Sequence, residues 1–453
     1  MRDVTPSAYA QSLGSTIAVS TLGAVLGGSV AGLLVVGFTA MLKTMLDAVS
    51  RQNVWLHIVV PLVGLALSVL VLNRLGLSEE QILQRPRRAA KWRTFPPDSA
   101  RSHLTDDIVS CAGAEERFPW HLAPIRALAI LATVGLGGPM GTEAPAAYLG
   151  VATGAALGVR WRRLLRPAAV GGGAAGVAAL MGLPLVGTAY ILELEYRHKA
   201  PLNVERVTAA LVGGVVGWLL NILLRVNLIR LVVPKEPPHS IYQALITALL
   251  IGVLSGSITS ISGAAIYKAK AWRASPIVRL ELGGLTLGLA AILIAMIASP
   301  SAAIGPGGGA ITWVESATGT AALTVLVVDV LRAIATTASA AAGGCGGLFV
   351  PFLAIGDLAG RAFAPYLEVP GDLAGAAGAA SGISGGYHLP VTAVALVLSQ
   401  GGPLLAVLTC LATVVVAAFA GTYSAKLLDG ILSLAHLRPE REPLAIAEDP
   451  YSF

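Results

Sequence analysis

The chain has 453 residues, of which 55% are hydrophobic and only 12% are charged. A typical soluble domain carries about 25% charged residues, so this chain has half of the charge that a water-facing surface needs. Its composition, with a mean hydropathy of +0.75, excludes intrinsic disorder, nucleic-acid-binding domains and ordinary soluble enzymes, and it indicates a polytopic membrane protein.

The positive charge follows a membrane pattern. The chain has 31 Lys and Arg against 25 Asp and Glu, a net charge of +6, and its basic residues form short runs between apolar stretches. Such runs flank membrane helices on their inner side, so we expect a lipid bilayer and no nucleic acid as partner. The three cysteines do not form a disulfide framework and are predicted to be small core residues.

The predicted elements begin with an uncharged apolar stretch from Gly14 to Leu42, which is long enough for a membrane helix. A second apolar stretch runs from Val54 to Asn73, and a long polar region follows from Arg74 to Arg117. From His121 onward the chain is apolar, interrupted by short basic clusters that mark cytoplasmic edges under the positive-inside rule. We therefore predict a succession of membrane helices.

Glycine and proline interrupt two apolar segments in a way that a dry membrane helix would not tolerate. The segments are Gly135–Pro145 and Gly343–Pro351, in a chain with 52 glycines. A broken helix occurs in a membrane where protein or a watery cavity satisfies the freed backbone groups. Broken segments at corresponding places in two halves of a chain indicate the binding site of a transporter.

The broken segments belong to an internal repeat with an offset of 206 positions (347 − 141 = 206). Five small or ring-bearing residues recur without a gap, namely Gly141, Pro145, Gly150, Gly154 and Pro184 as Gly347, Pro351, Gly356, Gly360 and Pro390. We predict an all-α multi-pass membrane protein with one domain over residues 1–453, a first repeat at about 54–235, a second at about 239–432 and a short polar tail at 433–453. The residues alone leave open whether the repeats are parallel or inverted.

Three segments resemble those of a known family. Gly141-Thr-Glu-Ala-Pro145 is similar to that family's Gly-Arg-Glu-Gly-Pro segment, and Gly347-Leu-Phe-Val-Pro351 fits its Gly-x-Phe-x-Pro segment. Ala420-Gly-Thr-Tyr-Ser-Ala-Lys426 resembles its late segment, which bears an anion-coordinating tyrosine. In this order, on a repeated membrane chain, the segments resemble the CLC family of chloride channels and chloride/proton antiporters.

The resemblance implies an inverted-repeat, all-helical fold and a homodimer with one anion pathway per subunit. It implies chloride and, in the antiporters, protons as the transported species. It also implies a multi-pass protein of the cell membrane, for this divergent prokaryotic type the bacterial inner membrane. A transporter of this kind is not an enzyme, and no metal, nucleotide or organic cofactor is expected.

Glu143 is a carboxylate among glycines, prolines and apolar side chains, where an unpaired charge is costly. Backbone N–H groups at a helix start can hold an anion without a formal cation, and Gly141 and Gly347 allow the backbone to come close. By resemblance, Glu143 is the gate: ionised, it occupies the anion site, and protonated, it leaves and admits chloride. The alternative is a favourable acid in the first turn of its own helix. Thr142 and Ala144 replace the family's arginine and second glycine, which predicts a less positive and tighter outer site.

The remaining anion ligands are also predicted from the resemblance. They are the backbone N–H groups of Leu348 and Phe349, the phenol of Tyr423 and the hydroxyl of Ser102. Counting back from Glu143 without gaps places the family's first signature on residues 101–106, where both of its glycines and its proline are missing. In the alternative interpretation, Ser102 or Thr105 is the N-cap of a helix whose first turn carries Asp106 and Asp107.

Proton transport is the point at which the sequence departs most from the antiporters. They commonly carry an Ile-Ile-Glu-Glu run, in which the second acid relays protons. Here the run is Ile191-Leu-Glu-Leu-Glu195, so Glu193 matches the first acid and Leu194 occupies the relay position. Glu195 lies about 100° further around a helix and is the candidate for a displaced relay. In one alternative, both acids simply form the polar end of a helix. In another, the protein is a channel instead of an antiporter.

Two other functions remain open. A fluoride-selective CLC transporter is one, although such relatives tend to lose the coordinating serine, so that Ser102 favours chloride. The other is an intramembrane serine protease, because Gly382-Ile-Ser-Gly385 resembles the nucleophile segment of rhomboid proteases. That enzyme needs a histidine on a later helix, and the histidines at hand are His388, four residues after Ser384, and His436 in the polar tail.

Overall fold

The computed structural model describes residues 6–75, 104–197, 200–225, 240–271, 274–317, 319–398 and 404–434. Within these ranges the repeating structure is helical, and an isolated β-bridge joins Gly141 to Gly347. The helices of the first half are α1 (Pro6–Ser50), α2 (Val54–Leu75), α3 (Leu104–Ser110), α4 (Ala123–Ile130), α5 (Glu143–Arg160), α6 (Leu165–Met181), α7 (Pro184–Arg197) and α8 (Val204–Leu224). Those of the second half are α9 (Ile241–Ala271), α10 (Pro276–Ile297), α11 (Pro300–Ala303), α12 (Gly308–Ser316), α13 (Ala322–Ala341), α14 (Phe349–Leu367), α15 (Gly371–Tyr387), α16 (Pro390–Leu398) and α17 (Leu404–Leu434).

The helices fit a bilayer. In the described part of the chain, 9 helical segments are long and apolar enough to cross a membrane. The two spans predicted at the start of the chain are confirmed as α1 and α2, and both extend beyond the predicted limits. Large apolar side chains on the outer helices are exposed, for example Leu34 on α1 and Leu285 on α10. An apolar outer surface of this kind suits lipid rather than water.

The two halves repeat the same close packing between helices. In the first half, a side chain at Gly150 of α5 would collide with the backbone carbonyl of Gly172 on α6. In the second half, a side chain at Gly356 of α14 would collide with the carbonyl of Gly378 on α15. Both glycines of the second pair lie 206 positions (356 − 150) after those of the first. Small residues let membrane helices approach closely, and the structure confirms an all-α fold with two repeated halves. The limits of the single domain and its repeats remain a prediction.

The largest apolar core surrounds the starts of α5 and α14. It includes Val134 before α5, Tyr148 on α5, Tyr190 on α7 and Phe349 on α14, all of them fully buried. Elements of both halves therefore contribute to one core. The two interrupted segments meet at its centre.

Candidate functional site

The centre of the protein is the point at which the two interrupted segments touch. Gly141 and Gly347 exchange a pair of backbone hydrogen bonds, N–H to carbonyl in each direction, at 2.7 Å. The bridge is antiparallel, as expected for segments related by a two-fold axis. Helix α5 begins two residues after the first glycine and α14 two residues after the second. Two helix N-termini, each with free N–H groups and partial positive charge, are thereby brought to one place.

The carboxylate of Glu143 lies between these two helix N-termini. The side chain is fully buried, and its Oε1 accepts a hydrogen bond from the N–H of Val350 at 3.2 Å. The N–H groups of Glu143 itself, Phe349 and Thr142 also interact with it, whereas Oε2 has no hydrogen-bond partner within the described ranges. The carboxylate thus crosses from α5 to the N-terminus of the helix in the other repeat. An acid that only stabilised the first turn of its own helix would not bind the N-terminus of a second helix.

The glycines beside Glu143 leave the space that its carboxylate occupies. A Cβ atom at Gly141 or Gly347 would run into the carboxylate oxygens of Glu143, and a Cβ at Gly347 would also lie 3.1 Å from the N–H nitrogen of Ala144. An anion bound to these N–H groups would compete for the same volume as the carboxylate. This geometry explains why glycine occupies both positions, and the part of Gly141 and Gly347 in anion binding remains a prediction.

A cluster of aromatic side chains adjoins the start of α14. Phe349 contacts Tyr190 with ring centroids 5.8 Å apart and Tyr387 with centroids 6.4 Å apart. The Tyr387 hydroxyl forms a 2.7 Å hydrogen bond with Thr105 on α3. The Tyr190 hydroxyl interacts with the side chains of Tyr387 and Thr105, although neither contact has the geometry of a hydrogen bond. Both tyrosines also interact electrostatically with Glu143, and Phe349, which both rings contact, immediately precedes the residue whose N–H binds the Glu143 carboxylate.

Sequence reasoning missed these hydroxyl groups. Tyr190 precedes the Ile191–Glu195 run and Tyr387 follows the segment compared with rhomboid proteases, so both signals were assigned elsewhere. Tyr423, which was predicted to be the anion ligand, is instead 65% exposed on α17, where the Lys426 ammonium lies 5.7 Å from the centre of its ring. Among the contacts that the structure describes, Tyr423 is not brought together with Phe349. Ser102 lies outside the described residues, and the nearby hydroxyl that reaches the cluster belongs to Thr105.

The two relay candidates form specific polar contacts on α7. The carboxylate of Glu193 accepts hydrogen bonds from the N–H groups of Val391, at 3.0 Å, and Thr392, at 2.8 Å, and so caps α16. Glu195 is 3% exposed and forms an ion pair with Arg206, which also pairs with Glu115. Both acids thus have specific partners near the end of α7, and the choice between a proton relay and a polar helix end remains a prediction. Leu194, at the relay position, is fully buried.

The serine of the protease hypothesis is a buried helix residue. The Ser384 side chain is 0% exposed and its hydroxyl donates a hydrogen bond to the carbonyl of Ala380 at 2.8 Å. His388 ends α15, and its Nε2 lies 3.5 Å from a carboxylate oxygen of Asp429. His436 falls outside the described residues. For the part of the chain that is described, no cluster of three or more His, Cys, Asp and Glu side chains could hold a metal ion.

Comparison with known proteins gives the relatives of this chain. The family model described as "Voltage gated chloride channel" matches residues 88–422. The H(+)/Cl(-) exchange transporter ClcA of Yersinia pestis bv. Antiqua (strain Angola) is 26% identical over 327 residues, which cover 67% of this chain and 66% of that protein. ClcA of Vibrio parahaemolyticus serotype O3:K6 (strain RIMD 2210633) is 24% identical over 355 residues, covering 72% of this chain and 73% of that protein. The aligned part therefore spans slightly less than two thirds of the Yersinia relative.

Solved structures match over most of the fold. A slow cyanobacterial Cl⁻/H⁺ antiporter superposes with a TM-score of 0.67 at 19% sequence identity and covers 92% of this chain and 98% of its own. A CLC-type fluoride/proton antiporter superposes equally well, with a TM-score of 0.67 at 19% identity, over 94% of this chain and 98% of its own. At these identities the likeness concerns the fold, and it confirms the inverted-repeat architecture. Because the family model covers most of the sequence, the chain belongs to the voltage-gated chloride channel family, the CLC proteins.

Proposed function

We propose that this protein exchanges chloride for protons across a cell membrane, with the Glu143 carboxylate as the gate of the anion pathway. The observation that supports this most directly is the hydrogen bond from the N–H of Val350 to the Glu143 carboxylate. The carboxylate occupies the N–H groups that would otherwise be free to hold an anion. In this proposal its protonation removes the negative charge, releases the side chain and opens the site to chloride.

The central anion would be held by backbone and hydroxyl donors without a formal cation. The N–H groups of Leu348 and Phe349 at the start of α14 are the backbone donors. Tyr387, with Thr105 and Tyr190 beside it, takes the part that the sequence analysis assigned to Tyr423, because Tyr387 adjoins Phe349. Neutral donors suit transport, since conduction needs binding that is weak enough to allow release. Ser102 remains a predicted ligand.

The relatives supply the substrates of the proposal. The two ClcA proteins are named as H(+)/Cl(-) exchange transporters, and one of the solved structures is a Cl⁻/H⁺ antiporter. From its membership of the CLC family we also propose that this protein is a homodimer in the lipid bilayer of the bacterial inner membrane. Chloride is preferred to fluoride because the names of both ClcA relatives give chloride as the exchanged anion.

An uncoupled chloride channel is the second candidate, and the α7 contacts favour it. Leu194 cannot carry a proton, Glu193 caps α16 and Glu195 is paired with Arg206. Because position 194 has no side chain that carries a proton, an antiporter needs either Glu195 as a displaced relay or another route for protons.

The reversal potential of the reconstituted protein separates these functions. Purified protein in planar bilayers would be exposed to opposed chloride and pH gradients, first with chloride and then with fluoride as the permeant anion. For an antiporter, the reversal potential shifts when only the pH gradient is changed. A reversal potential set by chloride alone would identify a channel. Faster transport of fluoride than of chloride would identify a fluoride transporter.

A further inference from the structure

Helix α13 carries a row of polar side chains that the proposed anion site does not use. The row consists of Asp329, Arg332, Thr336 and Ser339, which we call the α13 polar face. Spacings of three and four residues place these side chains on one side of a helix. All four are buried, with exposed fractions of 0% or 1%. A polar face buried at this depth needs partners inside the protein.

The described residues supply few hydrogen-bond partners for the α13 polar face. Within the described ranges, both carboxylate oxygens of Asp329, the hydroxyls of Thr336 and Ser339 and the Nε of Arg332 have no hydrogen-bond partner. Buried polar groups in native proteins are nearly always bonded, either to protein or to ordered water. We infer that water molecules line the α13 polar face. Water beside a buried carboxyl is what proton transfer through a membrane requires.

One acid and one base act on Asp329, and the base forms its hydrogen bonds elsewhere. The charged groups that act on it are Asp357 on α14 and Arg332 on its own helix. The Arg332 guanidinium donates its hydrogen bonds elsewhere, to the carbonyls of Ala302 at 3.2 Å, Ala303 at 3.3 Å and Gly305 at 2.9 Å. It therefore holds α11 and the loop after it, and forms no hydrogen bond with the Asp329 carboxylate.

The charged residues beyond Arg332 do not offset the negative charge of Asp329 either. Asp357 is bound by Arg361, with Nε–oxygen distances of 3.0 and 3.1 Å. Arg361 also bonds to Glu315 at 3.1 Å and Asp372 at 3.0 Å, so that one guanidinium serves three carboxylates. A buried charge without a hydrogen-bonded partner is costly, and a bound proton removes that cost. Asp329 is thus a buried acid whose charge a proton can neutralise.

The α13 polar face is long enough to cross about half of the membrane, and it ends close to the segment that contains Gly347. Ten residues separate Asp329 from Ser339, about 15 Å along a helix, which is half of a hydrocarbon core of about 30 Å. At the inner end, the N–H of Gly344 donates to the carbonyl of Ser339 at 2.9 Å. Gly344 follows the turn at Ala342 and Gly343 and lies three residues before Gly347, the glycine beside the Glu143 carboxylate. The polar face therefore runs from the first part of α13 to the loop at the gate.

We propose that Asp329 carries protons and that the α13 polar face is a hydrated route between the membrane surface at the start of α13 and the Glu143 gate. The Asp329 carboxylate takes one proton from water on the surface side and becomes a neutral carboxyl. It then returns that proton to the water along Thr336 and Ser339, and Glu143 accepts it. This inference rests on the proposed antiport function and supplies a route that avoids Leu194.

The test compares proton and chloride transport in the same vesicles. Full-length protein is reconstituted under a potassium clamp, and chloride-driven uphill proton uptake and chloride efflux are measured for wild type, Asp329→Asn and Asp329→Glu. Asp329→Asn should reduce proton uptake by about tenfold or more, as expected for the loss of a proton-transferring side chain. Its chloride efflux should persist, and Asp329→Glu should retain uphill uptake.

Two neighbouring threonines give a matched pair in case Asp329→Asn does not fold. Thr336 lies on the α13 polar face, whereas the Thr337 hydroxyl is 3.1 Å from that of Ser262 on α9. Thr336→Val should slow proton uptake and Thr337→Val should not. Wild-type uptake in Asp329→Asn, or equal uptake in the two threonine variants, overturns the proton route alone. The absence of uphill uptake in wild type contradicts the proposed antiport function instead.

Discussion

Replacement of Glu143 by Gln should strengthen chloride binding. The substitution keeps the size of the side chain but removes the charge that interacts with the N–H of Val350 and with the N-termini of α5 and α14. If that carboxylate is a tethered competitor for the anion site, chloride will meet a weaker competitor in Glu143→Gln. The variant imitates the protonated gate. Chloride flux should therefore persist or rise, and its dependence on pH should flatten.

The structure sets the size of the effect. A hydrogen bond to a charged group contributes about 1.5–3 kcal/mol, and the Glu143 carboxylate makes one such bond, with Val350. Each 1.4 kcal/mol corresponds to about a tenfold change in affinity. Loss of the charged competitor should therefore tighten chloride binding by about tenfold to a hundredfold. The neutral amide still fills part of the site, so Glu143→Ala should give at least the same gain.

Isothermal titration of chloride into detergent-purified protein measures this directly, and chloride efflux from vesicles provides the second readout. Glu193→Gln is a matched control, because Glu193 is also a glutamate that accepts backbone hydrogen bonds at a helix start, that of α16. Its chloride affinity should equal that of wild type. The reasoning is refuted if Glu143→Gln and Glu143→Ala bind chloride no more tightly than wild type, or if flux disappears while both variants remain monodisperse.

Three further results are expected. Gly347→Ala should abolish chloride efflux, because its methyl group would enter the space of the Glu143 carboxylate. Gly430→Ala, whose added methyl group would meet no described atom within 4 Å, should transport as wild type does. Tyr387→Phe should weaken chloride binding by about 1.5–3 kcal/mol in calorimetry, and Tyr423→Phe should leave it unchanged; the opposite ranking would restore the tyrosine chosen from sequence. Arg206→Met should lower the free energy of unfolding by about 3–5 kcal/mol, because it removes the ion-pair partner of the buried Glu195 carboxylate, whereas Glu115 keeps its ion pair with Arg166. Thermal unfolding in detergent would show no shift if that network were dispensable.

The sequence and the structure agree on the features that depend on local chemistry. Hydrophobicity over some twenty residues predicts a membrane span wherever it occurs, so α1 and α2 could be predicted from composition. The repeat could be found because glycine is required wherever two backbones touch, and Gly150 and Gly356 make the same close contact in the two halves. Glu143 was found because a lone carboxylate in an apolar, glycine-rich segment is conspicuous.

Partners that come from distant parts of the chain could not be predicted in the same way. Tyr190 and Tyr387 lie in different repeats, 197 positions apart (387 − 190). They meet because the fold brings α7 and α15 to the same phenylalanine, Phe349, where the two tyrosine rings also contact each other. Tyr423 was chosen from a local motif, but the rotation of α17 about its axis leaves its side chain exposed. A motif specifies the residue types in a segment, while the packing of the helix decides which way they point.

The charged residues show the same division. The sequence alone groups Glu195 with its neighbours at the end of α7, whereas in the fold it pairs with Arg206 across the gap between α7 and α8. The spacing of Asp329, Arg332, Thr336 and Ser339 is readable as one helix face, because helical periodicity is a local property. Whether that face meets lipid, water or protein depends on the elements packed against α13. The tertiary structure alone decides that it is buried, since burial is set by contacts between residues far apart in the chain.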